Sequence, residues 1–304
     1  MRSTRSGELR DHAQETLAGT VTMTNETPPL PITGATRVFC IIGAPVAPLR
    51  SPAFFNALFA KSRTDAVFVA LEIGAADVVR GFEGLRAMRN IAGMVVTMPL
   101  KQMVLPLVDE LMPTAKLVGA VNTIRREADG RLVGDMFDGK GGVLGLRWNG
   151  HEPRGRRVLL VGVGGAGSAL AFALAEAGVA VLTIADLDAG RARDVAARVR
   201  AACPTCSVRV GPPDPRGQEI VINATPLGMK PGDGLPIDAA LLAPGTVVFD
   251  IITNPDPSPL MIAAAARGCP AIGGRHLYEG QAFYATRFLG IDFVPEGRPV
   301  VETS

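Results

Sequence analysis

The chain has 304 residues, of which 47% are hydrophobic and 20% are charged, and its formal net charge is only +2. This length exceeds the size at which a single hydrophobic core stops growing, so the sequence predicts two packed domains. The near-neutral charge disfavours general electrostatic binding to nucleic acid or to an anionic membrane, and the expected ligand is a small molecule. Four cysteines are too few and too unevenly spaced to staple a protein of this size, which favours a reducing, cytoplasmic location.

The first 36 residues are expected to form a poorly ordered extension. They carry scattered charges and lack the apolar central region that is typical of a signal peptide, so no cleavable signal peptide is expected. The uncharged stretch 158–175 is long enough to suggest a membrane span. Its pattern is a short β-rich run, a glycine cluster and an Ala/Leu-rich segment, which predicts a buried strand, turn and helix instead. No membrane association is therefore expected.

Strands and helices alternate after the extension. Strands are predicted at 37–43, 66–71 and 93–98, with one helix at 51–61 and another between the last two strands. Ser51 is a good N-cap for the first of these helices, and Pro52 fits its first turn. A hairpin is predicted from segments 121–126 and 132–135, which flank the turn pair Asp129 and Gly130. This βαβ rhythm predicts a largely parallel sheet.

A second series of strands and helices runs from about residue 157 to about 274. Its predicted strands are 158–161, 179–185, 220–223 and 247–251, and a last helix is predicted at 278–288. The sequence therefore predicts an α/β protein in which one domain at 37–140 precedes a second, mainly parallel α/β domain at 141–276. The final segment, 277–304, is expected to return to the first domain.

A glycine-rich motif follows the first strand of the second series, where residues 162–167 read Gly-Val-Gly-Gly-Ala-Gly. In such a motif the first glycine permits a tight turn, the second lets the backbone approach a pyrophosphate, and the third lets helix and strand pack closely. The alternative is a glycine-rich turn that serves packing alone. Read in its strand–turn–helix context, the motif predicts a dinucleotide site at Gly162, Gly164, Gly165, Ala166 and Gly167.

Asp186 ends the next predicted strand, 24 positions after Gly162, close to the roughly 20 expected for a carboxylate that binds the ribose hydroxyls. A carboxylate there would repel a 2′-phosphate, so NAD is expected to be preferred over NADP. Two alternatives remain open: Asp186 caps the following helix, or Asp188 is the important carboxylate. Arg191 and Arg193 on that helix could offer a phosphate a counter-charge.

Residues 223–229 read Asn-Ala-Thr-Pro-Leu-Gly-Met and follow a strand, where a Rossmann sheet presents loops to its nucleotide. The alternative is a plain connecting loop. Segment 250–255 ends the next strand and is expected to approach the nicotinamide. The loop residues predicted to bind the cofactor are Asn223, Thr225, Pro226 and Leu227.

Eight motifs in order resemble the shikimate dehydrogenase superfamily. They lie at 43–52, 96–101, 119–123, 134–139, 162–167, 223–229, 250–255 and 280–282, and the resemblance covers about residues 37–290. It implies a substrate domain joined to a Rossmann domain, and oxidation of a hydroxylated cyclic acid related to shikimate or quinate with a nicotinamide cofactor. It also implies that Lys101 and Asp138 are catalytic.

This implied pair suits the chemistry. Hydride can leave a carbinol carbon only if the hydroxyl proton is also removed, and an amine beside a carboxylate can accept that proton or stabilise the developing alkoxide. The alternatives are a solvated lysine at a helix start and an aspartate in a turn. The resemblance further implies hydroxyl binding by Thr97, Asn122 and Gln281, and carboxylate binding by Ser51.

The substrate shell departs from the family pattern. Leu49 stands where the family has the first serine of its carboxylate-binding pair, Val95 replaces an asparagine, and Thr253 replaces a tyrosine. Losing one hydrogen bond to a charged group costs about 1.5 to 3 kcal/mol, which corresponds to roughly one to two decades of affinity. Shikimate is therefore expected to be a weaker substrate than a related acid such as quinate or an aminoshikimate-like compound. The other departures are Leu100, Met136 and Phe137.

Two classes of function compete. The first is an active NAD-dependent dehydrogenase, expected as a monomer or homodimer, and the second is a non-catalytic sensor of the same fold that binds metabolite and dinucleotide. An intact Lys101 and Asp138 pair favours the enzyme, since a sensor needs no proton relay. The histidines (His12, His151 and His276) form neither a nucleophile triad nor a metal-ligand spacing, so hydrolase and metalloenzyme functions are disfavoured.

Overall fold

The computed structural model describes residues 30–291. Most of the predicted extension 1–36 and the end of the predicted return segment 277–304 lie outside these residues. The described chain forms two six-stranded sheets with helices packed around them, which is the predicted α/β class. No helix within this range is long and apolar enough to cross a lipid bilayer.

The first sheet and its helices comprise residues 37–148. The elements in chain order are β1 (Arg37–Gly43), α1 (Ser51–Ser62), β2 (Ala66–Glu72), α2 (Val78–Ala87), β3 (Ile91–Val96), β4 (Glu110–Leu111), α3 (Pro113–Val118), β5 (Thr123–Arg126), β6 (Leu132–Asp135) and α4 (Asp138–Trp148). The strand order is β2-β1-β3-β5-β6-β4.

This first sheet is mixed. Strand β1 pairs in parallel with β2 and β3, whereas β5 is antiparallel to both β3 and β6. The predicted hairpin is confirmed, because β5 and β6 pair around the turn at Gly130, which adopts a left-handed φ of 92°. The sequence did not predict β4, a two-residue strand at the sheet edge.

The second sheet and its helices follow. The elements are β7 (Arg157–Val161), α5 (Gly165–Glu176), β8 (Val181–Ala185), α6 (Ala189–Ala202), β9 (Ser207–Val210), β10 (Ile220–Asn223), β11 (Val247–Asp250), α7 (Pro259–Ala266), β12 (Ala271–Ile272) and α8 (Arg275–Phe288). The strand order is β12-β11-β10-β7-β8-β9, and every pair is parallel.

The register of the second sheet brings four loops to one edge. Val161 lies beside both Ala185 and Asn223, and Asn223 in turn lies beside Asp250. These residues are the last of β7, β8, β10 and β11, so the loops that follow meet at the carboxyl edge of the sheet. In open parallel sheets this edge is where ligands bind.

Helix α4 connects the two sheets and runs without a break across residues 140 and 141, where the domain boundary was predicted. It packs closely on α5 and α8 because it is rich in glycine. A Cβ at Gly139 would lie 2.1 Å from the carbonyl oxygen of Ala169, and one at Gly141 would lie 2.4 Å from the backbone nitrogen of Gln281. Only glycine permits helices to approach this closely, and the approach brings α5 and α8 to the start of α4.

The chain returns to the first sheet after α8. Leu289 and Ile291 pack in an apolar cluster with Phe39, Phe55 and Val95. A larger core is continuous between the two sheets and includes side chains from β3, β5, β7 and α5. The two halves are therefore packed together around α4 as well as covalently linked.

Candidate active site

Lys101 and Asp138 form an ion pair. Lys101 lies in the turn after β3, and Asp138 is the first residue of α4. The Lys101 Nζ donates a hydrogen bond to Asp138 Oδ2 at 2.5 Å, with the lysine side chain 17% exposed and the aspartate side chain 1% exposed. This geometry disagrees with the alternatives of a solvated lysine and a turn aspartate.

Asn122 fixes the other oxygen of the same carboxylate. Its Nδ2 donates to Asp138 Oδ1 at 2.6 Å, while its Oδ1 accepts from the backbone N–H of Phe137 at 3.0 Å and from the Thr123 hydroxyl at 3.1 Å. Asn122 is fully buried. Both oxygens of Asp138 thus have defined partners, and the carboxylate can present its charge to Lys101 in only one orientation. The substrate-hydroxyl role of Asn122 stays a prediction.

The side chain of Lys101 also lies against the glycine-rich turn. A Cβ at Gly165 would lie 3.4 Å from Lys101 Cδ and 3.7 Å from Lys101 Cβ. The ammonium group therefore stands where the first sheet meets the carboxyl edge of the second sheet. A molecule held by Lys101 would be adjacent to whatever binds at the turn.

The glycine-rich turn has room for a pyrophosphate. Gly162 adopts a left-handed φ of 90°, and a Cβ at Gly167 would lie 2.1 Å from the carbonyl oxygen of Gly162, so both are needed for the turn itself. A Cβ at Gly164 would meet no atom of residues 30–291 within 4 Å. Gly164 is the N-cap of α5 and supplies no side-chain cap, so the first N–H groups of that helix face open space. Together these features fit a dinucleotide.

Asp186 is held by three hydrogen bonds. Its carboxylate accepts from the backbone N–H groups of Val163 at 2.7 Å and Asp188 at 2.8 Å, and from the Arg191 guanidinium at 2.7 Å. Burial alone would raise the pKa of Asp186, but the hydrogen bonds from Arg191, Val163 and Asp188 lower it. The cap of α6 is Asp188, which accepts from the N–H groups of Gly190 and Arg191. The alternative that Asp186 caps this helix is therefore wrong.

The loop after β10 is organised by a buried polar network. The Asn223 Oδ1 accepts from the N–H and the hydroxyl of Thr225, at 2.9 and 2.7 Å, and its Nδ2 donates to Asp250 Oδ1 at 3.0 Å. Asp250 Oδ2 accepts from the Ser258 hydroxyl at 2.6 Å. Burial raises the pKa of Asp250, against the lowering effect of the hydrogen bond from Ser258. The loop is thus more than a plain connection, with Thr225 and Leu227 half-buried and Pro226 exposed.

Sequence reasoning missed the part that Asp250 and Ser258 play. Asp250 was expected to approach the nicotinamide with its segment, yet its side chain turns inward and supports Asn223. A signal existed, because Asp250 ends a strand beside the one that Asn223 ends. Ser258 also caps α7 by accepting from the N–H of Met261, so the network anchors the loop to a helix.

The predicted substrate residues come from three separate elements. Thr97 is half-buried at the end of β3, Gln281 is half-buried on α8, and Ser51 is 6% exposed at the start of α1. The prediction that Ser51 is the N-cap of α1 is wrong. Arg50 takes that position, and no side chain caps the helix. The serine hydroxyl is therefore not occupied by capping.

Two of the departures from the family pattern lie in apolar surroundings. Val95 is 5% exposed and belongs to the cluster around Phe39 and Phe55, and Leu49 packs against the same cluster. Thr253, in contrast, is exposed in the loop after β11. Leucine at position 49 thus joins the core and leaves Ser51 as the hydroxyl at this helix start.

Comparison with known proteins points to one family. The family model described as "Shikimate dehydrogenase substrate binding domain" matches residues 41–124. A shikimate dehydrogenase (NADP(+)) from Rubrobacter xylanophilus is 40% identical over 268 residues, which cover 86% of this chain and 93% of the relative.

Solved structures agree with the curated relatives. Shikimate 5-dehydrogenase from Listeria monocytogenes, in complex with shikimate and NAD, aligns with a TM-score of 0.80 and 30% identity, covering 88% of this chain and 96% of that one. Quinate dehydrogenase from Corynebacterium glutamicum, in complex with NAD, aligns with a TM-score of 0.75 and 30% identity, covering 84% and 93%.

The curated relatives contradict one prediction. Several of them, at 34 to 40% identity, are named as NADP(+)-dependent, so the predicted preference for NAD over NADP is wrong. The prediction gave the negative charge of Asp186 more weight than the counter-charge that Arg191 or Arg193 could offer. In the structure this carboxylate is paired with Arg191, whose guanidinium is 49% exposed, so the strand end carries a cation as well as an anion.

Proposed function

Since the chain belongs to the shikimate dehydrogenase family, we propose that it is an NADP(H)-dependent dehydrogenase of a hydroxylated cyclic acid of the shikimate or quinate type. The family makes it a pyridine-nucleotide oxidoreductase that acts on a CH–OH group of a shikimate-like substrate. One observation carries the proposal: a part-buried ion pair between Lys101 and the fully buried Asp138 lies directly against a glycine-rich turn that fits a dinucleotide.

The reaction couples two transfers. Bound NADP⁺ would supply a nicotinamide ring that accepts a hydride from the carbinol carbon. The ring hydroxyl loses its proton to the Lys101 and Asp138 pair, so that hydroxy acid and NADP⁺ give keto acid, NADPH and a proton. Asn122 keeps the Asp138 carboxylate turned toward Lys101. Lys101 must first release a proton to solvent, and its neutral amine then takes up the hydroxyl proton while the Asp138 carboxylate stabilises the positive charge that returns to the lysine.

The remaining residues hold the two reactants. We assign the pyrophosphate to the turn formed by Gly162, Gly164, Gly165, Ala166 and Gly167, and the ribose to Asp186. Arg191 is available to a 2′-phosphate beside that ribose. The loop residues Asn223, Thr225, Pro226 and Leu227 line the same edge of the sheet. Ser51, Thr97, Asn122 and Gln281 bind the ring acid.

The division of labour follows the two sheets. We propose that residues 37–140 and the return segment bind the acid, that residues 141–276 bind the nucleotide, and that α4 belongs to both parts. The contacts of Gly139 with α5 and of Gly141 with α8 support this shared role. Asp138, at the start of α4, is then held in place by both halves of the molecule.

A substrate and cofactor screen tests the proposal. NADPH or NADH formation is followed with shikimate, quinate and aminoshikimate, each with NADP⁺ and with NAD⁺. We expect turnover of at least one of these acids, with higher kcat/KM for NADP⁺ than for NAD⁺. Binding of acid and nucleotide without turnover would support a non-catalytic sensor instead. Higher kcat/KM with NAD⁺ would contradict the cofactor assignment alone.

A further inference from the structure

Arg198 joins the two halves of the molecule. It lies on α6, which packs on β8 and β9 of the second sheet, and its Nη2 donates a hydrogen bond to the carbonyl oxygen of Leu117 on α3. Helix α3 leads into β5 of the first sheet. The contact therefore ties a helix of the nucleotide half to a helix of the acid half.

The guanidinium of Arg198 contacts three helices. Its Cζ lies 5.6 Å from the ring centroid of Phe172 on α5, within the range of a cation–π contact, and its Nη1 lies 3.4 Å from Asp194 Oδ2, one turn earlier on α6. A Cβ at Gly119 would lie 3.4 Å from the Arg198 Nη2, so the group also packs on the residue that ends α3. The guanidinium therefore has a fixed position although the side chain is 37% exposed.

The carboxyl end of α3 accepts this cation. Leu117 is the next-to-last residue of the helix, and the last carbonyl groups of a helix have no partner within it. A cation at this end satisfies a carbonyl oxygen and interacts favourably with the helix dipole. Gly119 then ends the helix with a left-handed φ of 71°. Arg198 thus fixes the point at which the chain leaves α3.

The residues that follow α3 hold both members of the ion pair. The N–H of Val121 donates to the carbonyl oxygen of Lys101 at 2.8 Å, and the side chain of Asn122 donates to Asp138 Oδ1 at 2.6 Å. Val121 and Asn122 come directly after the end of α3 and Ala120. A displacement of that helix end would therefore reach the main chain of Lys101 and the carboxylate of Asp138.

The other end of α6 lies at the nucleotide edge. Arg191, which we assign to a 2′-phosphate, precedes Arg198 by seven positions. Seven residues make nearly two turns and advance a helix by about 10 Å, so both side chains leave the same side of α6. One helix therefore connects the proposed phosphate contact to the end of α3.

We infer that Arg198 is a positioning residue for the dehydrogenase reaction: it holds the end of α3 against α6 and thereby fixes segment 119–122, and with it Lys101 and Asp138, relative to the bound nucleotide. The inference rests on the proposed function, because this placement matters only if proton and hydride leave the same substrate. Arg198 acts through Val121 and Asn122, and we assign it no contact with either reactant.

Paired arginine variants on one helix test this role. Arg198→Met removes the guanidinium and keeps a long side chain, whereas Arg198→Lys keeps a cation. Arg200→Met is the matched control, because Arg200 also donates to a backbone carbonyl, that of Val208 at 3.0 Å, but on β9 of its own half. If a methionine variant does not fold, alanine replaces methionine at both positions, since alanine favours a helix interior.

Four quantities are measured for each variant and for the parent. They are kcat and KM with shikimate or quinate, whichever the parent turns over, the Kd for NADP⁺ by calorimetry, and the melting temperature without ligand. A loss of kcat at unchanged Kd and melting temperature distinguishes positioning of the reacting groups from a general weakening of the fold.

We expect Arg198→Met to lower kcat by about 10- to 100-fold, because a misplacement of about 1 Å at the reacting groups can cost this much. The KM for the acid and the Kd for NADP⁺ should stay within about threefold, since both ligands keep their own contacts. Arg198→Lys should keep kcat within about threefold of the parent, because its ammonium can still donate to the Leu117 carbonyl.

Arg200→Met should keep kcat within about threefold of the parent, because its contact does not reach α3. The melting temperatures of the two methionine variants should agree within about 4 °C, since each loses one arginine–carbonyl hydrogen bond.

A kcat of Arg198→Met within about threefold of the parent overturns the inference and leaves the proposed function intact. An equal loss of kcat in Arg200→Met or in Arg198→Lys also overturns it, because the cation at the end of α3 is then not the cause. So does a rise in the Kd for NADP⁺ that matches the loss of kcat, which would place Arg198 in nucleotide binding. A parent that turns over none of the acids overturns the proposed function, and the inference with it.

Discussion

The nucleotide edge of the second sheet and the acid-binding end of the first are built in different ways. At the nucleotide edge the geometry comes from backbone: a tight turn at Gly162, a helix–strand contact at Gly167, and an uncapped start of α5. At the acid end the geometry comes from side chains on three helices and one turn, with Ser51, Lys101, Asp138 and Gln281 far apart in sequence. Backbone sites are encoded in one short segment, whereas side-chain sites depend on how whole elements pack.

The largest expected effect is the loss of NADP⁺ binding when a glycine of the turn is substituted. In Gly167→Ala the new Cβ would lie 2.1 Å from the carbonyl oxygen of Gly162 and 3.2 Å from Ala224 Cβ, which forces α5 away from β7. We expect the Kd for NADP⁺, measured by calorimetry, to rise by about 100-fold or more, as expected when a precise anion site is lost.

The matched control for this glycine is Gly84→Ala on α2, where the added Cβ meets no atom of the described chain within 4 Å. That variant should bind NADP⁺ normally and gain about 0.5 to 1 kcal/mol of stability, because alanine favours a helix interior. Normal NADP⁺ binding by Gly167→Ala would mean that the turn does not hold the pyrophosphate.

This contrast explains which parts of the molecule the sequence predicted. The glycine-rich turn, the parallel strands β7, β8, β10 and β11, and the hairpin around Gly130 were predicted correctly, because each has a local pattern of apolar or turn residues. Strands β4, β9 and β12 were missed. They are two to four residues long and β9 is mostly exposed, so each is too short to give a clear apolar period.

The candidate site shows the same division. The motif resemblance named Lys101 and Asp138, but the close packing of α4 on α5 and α8 follows from contacts at Gly139 and Gly141 that no single segment reveals. Likewise, the pairing of Asp186 with Arg191 depends on the turn between β8 and α6, and the sequence alone named Arg191 and Arg193 as possible counter-charges without showing which of them lies at the strand end.

Arg191, which pairs with Asp186, is expected to contribute to the preference for NADP⁺ over NAD⁺. Arg191→Ala removes the half-exposed guanidinium that lies 2.7 Å from Asp186. We expect the KM for NADP⁺ to rise by about tenfold and the KM for NAD⁺ to change by less than about threefold, because a charge-assisted contact to the 2′-phosphate is lost. Arg193→Ala, on the same helix and exposed, is the comparison variant. Equal effects on both cofactors would show that Arg191 does not meet the phosphate.

The smallest expected effect is on the pH dependence of stability, to which two carboxylates at the nucleotide edge, Asp186 and Asp250, contribute with opposite signs. The pKa of Asp186 is lowered in the folded protein, so its contribution to stability is present above the unfolded pKa and is lost as the pH falls through the folded pKa. The pKa of Asp250 is raised by burial, so its contribution is present below the unfolded pKa and is lost as the pH rises through the folded pKa.

Melting temperatures of Asp186→Asn and Asp250→Asn, measured against pH beside the parent, test this pair. From pH values below the ordinary pKa of an aspartate up to neutral pH, Asp186→Asn should become less stable relative to the parent and Asp250→Asn more stable. If both variants gain stability relative to the parent as the pH rises, or both lose it, the opposite pKa shifts assigned to Asp186 and Asp250 are wrong.

The central claim is that Lys101, held by Asp138 against the glycine-rich turn, handles the substrate proton. The kcat of Lys101→Ala at saturating acid and NADP⁺ tests this claim most directly. Lys116→Ala, an exposed lysine on α3, is the control, and the Kd for NADP⁺ and the melting temperature are measured for both variants. We predict that Lys101→Ala loses about 10²-fold or more of kcat while its Kd for NADP⁺ stays within about threefold, with Lys116→Ala unchanged in both. A folded Lys101→Ala variant that keeps a kcat within about threefold of the parent would contradict the account.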